Sequence, residues 1–198
     1  MRRRCAAAAA AMLVCGAAAY CQTTGSCAQA LETPLHDRAA LVIQSIPAGI
    51  TVAGTDSNKL RITCTSARDR DEVHLHLSGD PGRERLTIDS DLEHDNNLQI
   101  RIEVPHRTGL RLHMGAGQVT VNNLEGDKDI DLYAGQIVIA AGDTADYSSV
   151  DASVDIGEVK ASAWGVDKGG FFRSFTRTTA NGDYHLVAHV LTGEIDLQ

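Results

Sequence analysis

Gly117-Gln118-Val119-Thr120-Val121, Gly135-Gln136-Ile137-Val138-Ile139, Gly157-Glu158-Val159-Lys160-Ala161 and Gly193-Glu194-Ile195-Asp196-Leu197 are four copies of one five-residue pattern. Each begins with Gly, follows with Gln or Glu, and then alternates apolar or small residues with a variable one. The glycines are 18, 22 and 36 residues apart, and the last gap is twice the first, as though a copy near Phe175 had decayed. A period near 20 predicts stacked β coils, since one short turn of strand cannot bury its apolar side until the next turn lies on it. Glycine at the head of each copy suits a sharp corner that needs a positive φ. On this reading Val119, Val121, Ile130, Leu132, Ile137, Ile139, Val154 and Ile156 point inward. Thr120, Asp131, Asp151, Asp155, Lys160 and Asp196 point to water.

Outward from these copies the alternation continues. Val73-His74-Leu75-His76-Leu77 and Leu98-Gln99-Ile100-Arg101-Ile102-Glu103-Val104 alternate strictly, which predicts half-buried strands. Turn signals separate them, among them Pro47-Ala48-Gly49, Ser78-Gly79-Asp80-Pro81-Gly82 and Pro105. The stretch from Ala39 to Val104 lacks the 20-residue period and is expected to cap the stack or add flanking antiparallel strands. Helical periodicity is nearly absent. The fold class is therefore all-β, a single β-solenoid or β-helix-like stack of short strands with a less regular N-terminal β region.

The start of the chain differs. Arg2-Arg3-Arg4 precede an alanine-rich apolar run from Cys5 to Tyr20, and Ala28-Gln29-Ala30 offers small residues to a signal peptidase. Residues 1–30 read as a signal peptide and 31–198 as the exported domain. Ala17-Ala18-Ala19 is a second candidate cut site. Lipid attachment at Cys27 is a secondary reading: Gly25 and Ser26 are small enough, but the Leu expected three positions before the cysteine is missing. Four of five cysteines lie in this leader, so a cut after Ala30 leaves Cys64 alone, a small buried hydrophobe without an intramolecular disulfide.

The formal net charge of −8 includes the three leader arginines, so the remainder is more acidic still. No cluster of Lys and Arg follows Arg4, which excludes nucleic acid as a partner.

Strand by strand, the chain resembles a bacterial domain family of unknown function known as "putative adhesin". The resemblance covers roughly Ile43 to Leu197. Its carriers are Leu98 to Pro105, Leu110-Arg111-Leu112 and the Gly-Gln-Val-Thr-Val copy with its successors. It implies a β-solenoid and an exported or envelope location, and it implies no activity and no site residues.

Groups that could carry chemistry are scattered. His74 and His76 share one strand face and His185 and His189 another, but two ligands do not make a metal site. Asp129, Asp131, Asp143, Asp146, Asp151, Asp155 and Asp196 occupy the outward positions that alternation demands, and so read as a solvated face. Ser148, Ser149 and Ser153 have no base placed by the sequence, and no nucleotide or phosphate loop is present. The expectation is a non-enzyme with no catalytic residue, metal or cofactor. One candidate binding patch stands out: Trp164, Phe171, Phe172, Phe175 and Tyr184 in the irregular stretch, either a docking surface for a glycan or protein or a plug on the end of the core. The final strand, ending in Glu194-Ile195-Asp196-Leu197-Gln198, is expected to be a free edge that docks an envelope partner or a second copy. The function classes are an exported envelope or surface protein, a periplasmic partner module and, third, a carbohydrate-active enzyme.

Overall fold

A computed structural model describes residues 22–65, 70–91 and 97–198, with the backbone but not the side chains of 168, 171 and 172. The apolar run from Cys5 to Tyr20 thus lies outside the described residues. Alternation becomes strand throughout: β1 (Thr23–Ser26), β2 (Leu31–Pro34), β3 (Ala40–Ser45), β4 (Ala48–Thr55), β5 (Lys59–Thr65), β6 (Val73–Asp80), β7 (Arg83–Ser90), β8 (Gln99–Pro105), β9 (Gly109–Asn122), β10 (Lys128–Ile139), β11 (Tyr147–Ala161), β12 (Val166–Thr178) and β13 (Tyr184–Leu197). Three single-turn 3-10 segments complete the described elements, and no helix among the described residues is long and apolar enough to cross a membrane.

The long strands fold over. Buried positions in β9 are Leu110, Leu112 and Met114, then Val119 and Val121 beyond Gly117. In β10 they are Ile130 and Leu132, then Ile137 and Ile139; β11 and β13 behave alike. The buried set changes from even to odd numbers across each glycine. In a straight strand such a change would aim the second set at the opposite face. Here both sets belong to one core cluster, so each strand bends at its glycine and both arms face the same interior.

Register fixes the glycines side by side. Gly135 pairs with Gly117 and with Gly193, and Gly157 pairs with Gly193. Their φ angles are 139° (Gly117), 136° (Gly135), 146° (Gly157) and 150° (Gly193), a region L-residues avoid. A Cβ on Gly135 would also run into the carbonyl oxygen of Gly117, and one on Gly193 into that of Gly135. The corner therefore excludes every other residue on two counts.

The pairing extends across both halves of the chain. The first arm of β9 pairs in parallel with β3 and its second arm with β4, so β3 and β4 form one bent layer broken at Ile46-Pro47. On the first-arm side the order is β1-β6-β7-β3-β9-β10-β13-β11-β12, and on the other side β2-β5-β8-β4 leads to the same long strands. The result is one open, many-stranded sheet, all β. Ala39 to Val104 does not cap: β3, β4, β7 and β8 extend the parallel ladders, and β5 and β6 add flanking antiparallel strands, the second of the two expectations.

Four further expectations are corrected. The stretch around Phe175 is no decayed copy: it is β12, which runs antiparallel to β11 and places Gly170 against Gly157. The final strand is no edge: β13 is paired along its length with β10 on one side and β11 on the other. Ile156 is 48% exposed, because the residue before the corner glycine falls at the bend, where alternation changes phase. Lastly, Cys64 is not alone. Cys27 and Cys64 form a disulfide with their Cα atoms 5.2 Å apart, and both are buried. Cys27 follows directly on β1, which pairs with β6 from Thr23↔Leu77 to Ser26↔His74. Folded structure therefore begins before Leu31, and the Cys27 sulfur is engaged in a bond that excludes lipid attachment.

The two ends of the sheet are finished differently. At one end β1 and β2 are four residues each and β2 ends in Pro34, which gives no long template for pairing. At the other, the side of β12 that faces the core carries Arg177 opposite Val150 and Arg173 opposite Val154. Both arginines are exposed, and charged side chains on a terminal strand oppose the pairing of another strand.

Candidate functional site

Among the described side chains of the aromatic patch, Trp164 and Phe175 come together. Trp164 follows the second arm of β11, whereas Phe175 lies on the first-arm side of β12. Their rings nonetheless meet, with centroids 5.5 Å apart, because the two arms close over the interior. Phe175 is buried and Trp164 packs against the core, its indole Nε1 buried without a hydrogen-bond partner. Both thus cover the end of the core. Tyr184 starts β13 opposite Tyr147, at the far end of β11 from Trp164, and also packs on the core. The backbones of Phe171 and Phe172 lie in β12; their side chains fall outside the described residues.

On the outer faces, polar side chains pair from strand to strand. His113 Nδ1 lies 2.9 Å from one Asp131 oxygen, and His189 Nδ1 lies 3.0 Å from the other. Arg111 Nε donates to Asp129 at 2.7 Å. Along the corner, Gln118 donates to Gln136 and Gln136 to Glu194, while Lys160 reaches Glu194 and Glu158 at 2.8 and 2.9 Å. The hydrogen bond to Glu194, then that to Glu158, raises the Lys160 pKa above its ordinary value and keeps it charged.

The histidine pairs singled out by the sequence go separate ways. His74 and His76 face Asp91 and Asp89. His189 joins Asp131, whereas His185 Nδ1 lies 2.8 Å from Ser149 Oγ. No group of three or more metal-ligating side chains converges among the described residues. Ser149 does have an imidazole within hydrogen-bond reach, which the sequence did not reveal because the partner is 36 residues away across a parallel ladder. The His185 backbone N–H donates to Asp127 Oδ1 at 2.8 Å.

A buried polar cluster lies among the loops that join β8 to β9, β9 to β10 and β10 to β11. A cavity of about 390 Å³ is lined by His106, Asn123, Glu125, Asp143, Asp146 and Tyr147, among others. Beneath it Lys128 is 1% exposed. Its Nζ donates to the Gly126 carbonyl at 2.8 Å and to the Tyr147 hydroxyl at 2.9 Å, and lies 4.9 Å from the Tyr147 ring centroid. The Tyr147 hydroxyl in turn donates to the Ala141 carbonyl at 3.1 Å. Burial lowers the Lys128 pKa to about 8, against the opposing pull of Asp127, Glu125 and Asp146. Burial first, and then Asp146 and Tyr184, raise that of Tyr147 to about 12. Lys128 and Tyr147 thus tie three loop ends together through polar contacts under the cavity. Sequence gave no sign of this: Lys128 sits within Asp127-Lys128-Asp129, which reads as solvated.

No family model and no curated protein matches the chain. Among solved structures, the chain is similar to a putative cell adhesion protein from Clostridium sporogenes. The TM-score is 0.54 at 10% identity, over 85% of this chain and 98% of that one. At that identity the likeness speaks for the fold alone.

Proposed function

We propose that the protein is an exported component of the cell envelope or surface, acting by binding or as a structural element in an adhesin-like, solenoid-type stack. The observation that carries this reading is the way the outer side chains are used. His113, Asp131 and His189, Arg111 and Asp129, and the Gln118 to Lys160 row are partnered with one another across adjacent strands. Strands lie about 4.8 Å apart, so such rows present fixed polar groups at a fixed spacing. That favours a rigid surface for contact over groups held free for catalysis. The structural likeness to a protein described as a cell adhesion protein supports the same direction. An acidic surface favours protein or glycan partners over nucleic acid.

The reading is tested by expressing the full chain with an epitope tag after Gln198 and staining intact and permeabilised cells. Signal on intact cells supports surface display. Signal only after the outer envelope is opened supports a periplasmic role, and signal confined to the cytosolic fraction overturns the proposal.

A further inference from the structure

The position of Cys27 bears on where the chain is processed. Thr23 to Ser26 form the outer strand on β6, and the Cys27 N–H donates to Val73 O at 2.9 Å. Leu31 and Leu35, directly after the turn, are in the core. Residues 23–30 are therefore part of the folded domain, and a cut after Ala30 would remove a strand and half of the disulfide.

Upstream, small residues occur in two places. Ala6 to Ala11 lie inside the apolar run, so a cut there would leave too little apolar chain for an export signal, which needs about 7–15 such residues. Ala17-Ala18-Ala19 lies directly after Gly16, with the run from Cys5 to Val14 intact before it. We propose that the exported chain is cut between Ala19 and Tyr20, and that Cys27 and Cys64 are then joined as a structural disulfide. This rests on the export reading above. The cut is a hydrolysis: water adds across the Ala19–Tyr20 amide, leaving the Ala19 carboxylate on the leader and a free amine on Tyr20. In the second step two thiols lose two protons and two electrons to a disulfide-bearing oxidoreductase of the receiving compartment, which becomes a dithiol.

The test uses full-length protein recovered from the envelope fraction of an exporting bacterium. It is alkylated without reduction, sequenced from the N-terminus and digested. The expected result is Tyr20 as first residue, a Cys27–Cys64 linked peptide and alkyl label confined to Cys21. Ala19→Gln should abolish that start and Ala30→Gln should leave it unchanged. Any other first residue overturns the assignment; a start at Leu31 with label on Cys64 does so while leaving export standing. Protein retaining Met1, with Cys27 and Cys64 both labelled, overturns the export reading with it.

Discussion

The glycine corner is the most exacting residue-scale feature. Gly135 combines a φ of 136° with a neighbour's carbonyl where a Cβ would stand. Gly135→Ala should therefore lower stability by more than about 3 kcal/mol. Gly115→Ala, where nothing lies within 4 Å, should change little; urea unfolding of both variants checks the contrast. Lys128 and Tyr147 make a second residue-scale prediction, this one about pH. Lys128 titrates near 8 when folded against 10.5 when exposed, so between these values the unfolded chain holds more protons and stability rises with pH. Tyr147 titrates near 12 against 10.0, so the folded chain holds more protons there and stability falls from pH 10 to 12. Stability should peak near pH 10, on the order of 2 kcal/mol above its value at pH 7. Urea midpoints across that range should lose the rising limb in Lys128→Met.

Single strands show what sequence could and could not disclose. The arms of β9, β10, β11 and β13 were legible because a parallel, in-register ladder repeats the same residue at the same place, and Ile137 does sit fully buried in the core. Ile137→Asp should abolish the cooperative thermal transition, since it buries an unpaired carboxylate between layers. β12 was not legible, because an antiparallel strand meets its neighbour in reversed order and its Gly170 falls outside the repeat. The disulfide was hidden for another reason: residues 1–30 read as a signal peptide, so Cys27 was set apart from Cys64, its partner in the fold. The cavity floor was hidden because Lys128 meets Tyr147 across a loop connection, not within a strand pattern. The disulfide closes a separation of 37 residues, which by loop entropy contributes about 4 kcal/mol. Reduction, or Cys27→Ser, should lower the urea-derived stability by about 2–4 kcal/mol.

For the molecule as a whole, the order of layers departs from the order of the chain. β13 lies between β10 and β11, with long ladders to each. Deleting residues 184–198 should therefore abolish the folded state outright, where loss of an edge strand would only trim it. Circular dichroism and hydrogen exchange on the truncated chain check this. With β13 in place, Gly193 lies between Gly135 and Gly157 and completes the glycine corner.

That placement of β13 also governs how the protein comes into being. A chain emerging from a ribosome makes β10 and β11 early, yet their shared neighbour is synthesised afterwards. In the folded protein the strand made last stands between two made before it. A chain that stops before Tyr184 leaves the facing edges of β10 and β11 without their shared neighbour, and unpaired strand edges are the templates on which chains associate wrongly.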